Sequence, residues 1–147
     1  LLFRLKYQEE RAVLPQLSQY VAALVADNSE LNQIDLVTPV PPSQKRPFDA
    51  VQLLVELVAN LLHKPVQSVI IRVKSSAPQK EMRTLAQKQQ NVAGAFACAP
   101  AVQGQTILIV DDLFDSGATL AEITRLLKQH GAGRIYVLTI TRTIHTD

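Results

Sequence analysis

The sequence predicts an α/β fold, an open and mainly parallel sheet with helices on both faces, on three observations. Apolar runs without polar alternation recur at residues 35–40, 69–73, 106–110 and 134–140. Most stretches between them carry apolar residues at helical spacing. Strands covered on both faces read as such unbroken runs, because helices take both sides of a parallel sheet. The 147 residues, 47% of them hydrophobic, suffice for one domain with a real core. One domain over residues 1–147 is expected, with residues 1–33 as an N-terminal helical region and 74–92 as a flexible loop.

Residues 12–26 place Val13, Leu14, Leu17, Val21, Leu24 and Val25 on one helical side. Pro15 is tolerated only in a first turn, so this helix should begin near Leu14. Residues 35–40 read as a short buried strand stopped by Pro39, Pro41 and Pro42, and residues 43–47 as a loop holding Lys45 and Arg46. Asp49 is placed to cap the next helix, whose apolar side includes Leu53, Leu54, Leu57, Val58, Leu61 and Leu62 and which Pro65 ends. Residues 69–73 form a strand dense in β-branched side chains. Residues 74–91 are polar, setting Lys74, Lys80, Arg83 and Lys88 against Glu81, and they carry Pro78. Part of this stretch is therefore expected to be a mobile excursion. A small-residue strand over 94–99, a central strand over 106–110, a helix over 119–130 closed by Gly131 and a last strand over 134–140 complete the pattern.

Composition narrows the function classes. The net charge is +2 and the isoelectric point about 8.8, a weak basic bias that does not by itself argue for nucleic acid. Cys98 is the single cysteine, and His63, His130 and His145 lie far apart, so zinc-ligand spacing is missing and an internal disulfide is excluded. That usage fits a reducing, cytoplasmic compartment. No apolar run approaches the ~20 residues of a membrane span. The sequence begins at Leu1, which fits a missing or processed N-terminus, and residues 1–3 are too short for a signal core. Cys98 sits among alanines and reads as a small core residue. His63 and His130 fall near helix ends, where a cation favours the dipole.

The chemistry concentrates in residues 105–120, read QTILIVDDLFDSGATL. An apolar strand ends in Asp111 and Asp112, and Asp115, Ser116, Gly117, Ala118 and Thr119 turn into a helix. Ligands of open parallel sheets bind beyond the carboxyl ends of the strands. Two adjacent carboxylates there accept bonds from vicinal hydroxyls and attract a hydrated Mg²⁺. The unpaired N–H groups of a helix start receive phosphate. Each residue alone also fits a strand end or a helix cap. A nucleotide-hydrolase magnesium strand needs an upstream G-x-x-x-x-G-K-[ST] loop and a dinucleotide fold needs G-x-G-x-x-G; the sequence has neither.

The segment 109–119 resembles the phosphoribosyl-pyrophosphate (PRPP) motif of type I phosphoribosyltransferases, a hydrophobic strand, two acids and a hydroxyl-glycine turn. Leu5, Lys6 and Tyr7, Val40 and Pro41, Gln79, Asn91 with Gly94, Ala95 and Phe96, and Leu138, Thr139 and Arg142 are similar to the ComF, competence-associated, branch. The branch often carries an N-terminal zinc ribbon, which has no counterpart here. The resemblance implies that Asp111 and Asp112 hold the ribose hydroxyls and, indirectly, Mg²⁺. It implies that Asp115, Ser116, Gly117, Ala118 and Thr119 wrap the 5′-phosphate, and that Lys45 and Arg46 face pyrophosphate. Lys80 and Arg83 would lie on a loop that closes over the leaving group. Two departures stand out. Asp115 replaces a threonine of the branch and matches the aspartate that faces purine N7 in salvage enzymes, where it would be a general acid or base. A helix-start carboxylate is the plain alternative. Pro47 and Phe48 replace the branch's arginine–glycine–phenylalanine.

Two functions follow as expectations. One is an enzyme transferring the 5-phosphoribosyl group from Mg-PRPP to a nitrogen nucleophile, a purine base among the candidates, with release of pyrophosphate. The other is a catalytically weak PRPP-binding regulatory or DNA-uptake accessory protein. Direct nucleic-acid binding is not expected, for want of an aromatic stacking platform and of a large net charge. Family habit implies a homodimer; the apolar helix over 13–25 with residues 1–3 is available either to cover the sheet or to form a dimer face.

Overall fold

The structure, a computed structural model, describes residues 14–42, 50–74, 82–114 and 117–142. Helix α1, Leu14–Asp27, places Pro15 in its first turn, where a missing N–H disturbs nothing. A 3-10 turn over Ser29–Gln33 leads into β1, Leu36–Pro39. Then follow α2, Ala50–Leu62, β2, Ile70–Arg72, α3, Leu85–Val92, and β3, Phe96–Cys98. A second 3-10 turn, Pro100–Val102, precedes β4, Ile107–Phe114, α4, Ala118–Gln129, and β5, Ile135–Arg142.

Strand β4 lies between β1 and β5 and runs parallel to both. Its register pairs Leu36 with Ile107 on one side and Ile107 with Ile135 on the other. Asp35 brackets the entry: its N–H donates to Thr106 O and its carboxylate accepts the Thr106 N–H, both at 2.8 Å. Side chains alternate across the sheet and split the core into two layers. Leu108, Val110, Val37 and Leu138 pack with Leu17 and Val21 of α1 and Leu54, Val55 and Val58 of α2. Ile107, Ile109 and Leu36 pack on the other face with Ile123 and Leu127 of α4 and Val92 of α3. Continuous apolar strands with helices on both faces are thus confirmed for this sheet.

Three expectations need correction. Strands β2 and β3 do not join the parallel run; they pair antiparallel with each other, Ile70 opposite Cys98. The segment before β2 is fastened to β1, as Val37 N–H donates to Pro65 O and Gln67 N–H to Val37 O, both at 3.0 Å. The apolar run had suggested burial on two sides, yet Ile71 is 54% exposed, as an antiparallel pair with one open face allows. Second, residues 74–91 are not all loop: α3 occupies Leu85–Val92. A capping box starts it, with Gln87 N–H on Thr84 Oγ1 at 3.1 Å and Thr84 N–H on Gln87 Oε1 at 3.2 Å. Residues 75–81 lie outside the described residues. Third, α2 turns Val55 and Ala59 inward, which the apolar list had omitted, and leaves Leu61 39% exposed.

The expected caps and closures fall as follows. Asp49 lies outside the described residues. Gly131 follows α4 with φ 84°, the left-handed turn that closes a helix and that glycine alone adopts freely. His130 is the C-cap residue of α4, and its Nδ1 lies 2.9 Å from Leu126 O.

Ile109 is fully buried between Thr38 and Val137 at the centre of the sheet. Ile109→Ala should cost about 2–5 kcal/mol, read as a lower urea midpoint at unchanged slope. An unaltered midpoint would show that this strand does not organise the core.

Candidate functional site

The carboxyl edge of the sheet is where the chain gathers its chemistry. Val40 N–H donates to Val110 O at 3.1 Å, so the chain leaving β1 is held level with the last apolar residue of β4. Asp111 follows, half-buried and opposite Thr139. The strand does not end at Val110 as expected. It continues through Asp112 to Phe114, because β5 runs on to Arg142 and supplies partners, Thr141 to Leu113 and Arg142 to Phe114. The two acids therefore sit within paired strand, and Arg142 is the last residue of β5 and not a residue beyond it.

The turn after β4 reaches α4 through Gly117, whose φ of 80° and ψ of 2° are left-handed. A side chain there would be strained, which accounts for the glycine of the motif. Gly117 is the N-cap, and its carbonyl accepts the Ala121 N–H at 2.8 Å. Having no side chain, it supplies no acceptor to the first N–H groups of this 12-residue helix. Ala118 is buried and Thr119 half-buried in the first turn. Asp111, Gly117, Ala118 and Thr119 are thus brought to one edge. Asp115, Ser116, Lys45, Arg46 and Lys80 lie outside the described residues. Arg83 is exposed, directly ahead of the cap of α3, with its backbone N–H on Gln87 Oε1 at 2.8 Å.

Two residues not singled out from the sequence, Arg72 and Glu122, border this edge, together with Lys88, which the sequence offered only as one cation of a polar stretch. Arg72 of β2 lies over the Phe96 ring, 4.7 Å from its centroid, and donates from Nη2 to Pro41 O at 3.5 Å. Burial pushes its guanidinium below the usual arginine range. Glu122 of α4 accepts from Arg125 Nη2 at 2.6 Å and Nε at 3.1 Å, and from Gly94 N–H at 3.2 Å. The hydrogen bonds from Arg125 hold its carboxyl below the usual range, burial opposing, with the Gly94 N–H and the arginine charge adding to the depression. Lys88 is buried on α3. A signal for Glu122 was present, since Arg125 follows at helical spacing three residues later. Cys98 is half-buried against the α4 layer, and burial raises its thiol above the ordinary range, in keeping with a packing residue.

A parallel sheet that delivers an acid and a left-handed glycine turn to one edge defines a class: α/β proteins of the type I phosphoribosyltransferase fold. Glutamine phosphoribosylpyrophosphate amidotransferase from B. subtilis, complexed with ADP and GMP, shares that fold. Its TM-score is 0.56 at 21% identity, over 83% of this chain and 25% of that one. Residues 49–146 match the family model of the phosphoribosyl transferase domain. DNA utilization protein YhgH of Escherichia coli strain K12 is 29% identical over 98% of this chain. Competence protein F of Haemophilus influenzae is 26% identical over 97% of it. The chain spans 66% of the length of each of these two relatives. It belongs to the phosphoribosyl transferase domain family, in its ComF branch.

Those relatives overturn the expectation against a nucleic-acid partner. That expectation rested on the lack of an aromatic platform, which bears only on binding by base stacking, and on the small net charge, which does not describe how charge is distributed over the surface. Among the described residues, no helix is long and apolar enough to cross a membrane.

Mg²⁺ is implied by the family. Among the described residues, no group of three or more His, Cys, Asp or Glu side chains forms a metal cage. The donor set, a strand-end carboxylate beside the left-handed Gly117 turn, fits the way Mg²⁺ is commonly held, through one or two carboxylates, water and substrate phosphates.

Glu122 ties the turn before β3 to α4. With its folded pKa depressed, its contribution is present above the unfolded value near about pH 4.3 and is lost as pH falls through the lower folded value. Glu122→Gln should therefore lower the melting temperature at pH 7, and the gap from wild type should close in acid. A gap that persists at the acid end would reject the clamp.

Proposed function

We propose that this chain binds a phosphoribosyl ligand, Mg²⁺–PRPP, as a binding and regulatory module in DNA utilisation. The observation that carries the reading is the meeting of Asp111 and the Gly117 turn at one sheet edge, within the segment that matches the phosphoribosyl transferase model. Relatives named for DNA utilisation and competence support the cellular setting. Because the chain covers only part of those proteins, the DNA contact and its strength are part of the proposal.

In this reading Asp111 and Asp112 accept hydrogen bonds from the ribose hydroxyls, and the Asp115-to-Thr119 turn receives the 5′-phosphate. Lys45 and Arg46 balance the pyrophosphate, with Lys80 and Arg83 approaching from the segment between β2 and β3. Bound Mg²⁺ would neutralise part of the diphosphate charge. The chain itself supplies position and charge, and no covalent nucleophile is needed.

A second reading is transfer of the phosphoribosyl group to a nitrogen nucleophile, and Asp115 favours it. A carboxylate at that position is suited to exchange a proton with purine N7. Closure of the segment between β2 and β3 would exclude water from the anomeric carbon.

Calorimetry with Mg²⁺–PRPP tests the binding reading, and pyrophosphate release across a panel of bases separates the two. Binding without release for any base supports the regulatory module; release with one base supports the transferase. Asp111→Asn with Asp112→Asn should remove most PRPP affinity while the melting temperature stays close to wild type. Unchanged affinity would reject the site. Should a purine be accepted, Asp115→Asn should slow its turnover more than it weakens PRPP binding, and equal rates would remove the N7 role.

A further inference from the structure

The net charge of +2 conceals an uneven distribution along the chain. Residues 57–110 contain six cations, Lys64, Arg72, Lys74, Lys80, Arg83 and Lys88, against the single acid Glu81. That stretch alone carries +5, so the remainder of the chain is net negative. A basic stretch set in an otherwise acidic chain is the electrostatic footprint of a site for a polyanion.

Within it, residues 64–74 form one continuous stripe fastened to the fold by backbone. Residues 65–67 lie along β1, through Val37 N–H on Pro65 O and Gln67 N–H on Val37 O. Val69 N–H on Gln67 O at 3.0 Å bends the chain at Ser68. Beyond the bend the stripe pairs with β3, with Ala99 N–H on Val69 O and Val73 N–H on Ala95 O, both at 2.8 Å. These bonds hold the stripe without covering it. Gln67, Ser68 and Lys74 are exposed and Lys64 is half-buried, while Val66, Ile71 and Val73 are 36, 54 and 60% exposed. Strand alternation sets Ile71 and Val73 on the open face, opposite the buried Ile70 and the Arg72 guanidinium over Phe96. Residues 64–74 include no acid, and among the described residues neither Lys64 nor Lys74 is in an ion pair.

We propose that residues 64–74 are a contact surface for single-stranded DNA, with Lys64 and Lys74 on the phosphate backbone and Val66, Ile71 and Val73 against the bases. The inference rests on the DNA-utilisation part of the proposed function and gives that contact a place. Phosphodiesters are met by lysines with release of counterions, and Gln67 and Ser68 add hydrogen-bond donors for phosphate oxygens. A single strand also offers unstacked base faces, which an aliphatic face removes from water. A duplex keeps its base faces stacked and would leave Ile71 and Val73 without a partner. Lysines and aliphatic side chains do not read base edges, so the contact is independent of sequence and weakens steeply with salt.

The test is fluorescence anisotropy with labelled single strands of two unrelated sequences and with a duplex, over a salt series. Wild type is compared with Lys64→Ala, Lys74→Ala, the double variant and Ile71→Gln, each checked by thermal melting. Every lysine removed should lower the slope of log affinity against log salt by about 0.7 and weaken both single strands alike. Ile71→Gln should weaken binding at unchanged slope, because no charge is lost. A wild-type slope and affinity in the folded double variant would overturn the inference and leave the lysines as guards of an open strand edge. Tighter binding of the duplex than of the single strands would overturn it too, as would binding to phosphatidylserine vesicles with none to DNA. Sedimentation showing a dimer that Ile71→Gln disrupts, with DNA binding intact, would give this face to a second copy of the chain. Calorimetry with Mg²⁺–PRPP keeps the two readings apart. A wild type that binds PRPP and no DNA overturns this inference alone, whereas one that binds DNA through these lysines and no PRPP upholds it and overturns the phosphoribosyl reading.

Discussion

Everything at the site depends on the parallel pairing of β4 with a neighbour on each side. A strand held from two edges cannot slip by one residue without moving its apolar set to the wrong face. Ile107 and Ile109 enter one core layer and Leu108 and Val110 the other, so a slip would break both. The same register fixes how far Asp111 stands from Val40 and Thr139, and where the chain departs for α4. Packing of Ile123 and Leu127 then sets α4 against the sheet, so the direction of its N-terminus follows from apolar contacts further along the helix.

This arrangement explains which features were legible in the sequence. Apolar runs flanked by glycine and proline gave away β1, β4 and β5, because strands buried on two faces have no room for polar residues. Gly117 was legible for a steric reason, since a left-handed turn at the edge of a sheet selects glycine. The β2 and β3 pair was misread because Ile70, Ile71 and Val73 are as apolar as a two-sided strand, although Ile71 and Val73 are exposed. Pairing direction depends on where the intervening chain returns, and no periodicity encodes that. The far ends of β4 and β5 were missed for a related reason. Asp112 through Phe114 and Thr141 with Arg142 look like loop residues, and only mutual hydrogen bonding makes them strand.

Helix α3 is the more instructive miss. Its composition is polar, with Lys88 as one cation among several, so the stretch looked solvated from end to end. The capping box at Thr84 and Gln87 was present in the sequence, but a helix signal without an apolar stripe carries little weight. Burial reverses the reading. A short helix that turns a lysine inward is held by Val92 in the core layer and by polar terms beside it, one of them the Gly94 N–H on Glu122, whose carboxylate Arg125 keeps ionised. Such anchors are directional and lose their value when misaligned, whereas apolar packing tolerates adjustment.

That difference bears on how one fold can serve turnover in some proteins and binding in others. In the proposed reading the phosphate meets backbone N–H groups at the start of α4, an arrangement that survives most side-chain substitutions so long as Gly117 and the α4 packing remain. Transfer requires more, because charge leaving with pyrophosphate must be met in the transition state by cations placed at that moment. In the proposed reading those cations come from the segments after β1 and between β2 and β3, whose described flanks are held by Val40 on Val110 and Gly94 on Glu122. Evolution can therefore retune or discard catalysis in these segments at little cost to the parallel core. A lineage that needs the ligand only as a signal keeps β4, Gly117 and α4 and is free to vary the rest. By the resemblance, Pro47 and Phe48 stand in one such segment where the branch has arginine–glycine–phenylalanine, and Asp115 departs from the branch within the proposed phosphate turn. In that reading backbone meets the phosphate, so the Asp115 carboxylate bears on whatever group lies opposite it and not on the phosphate.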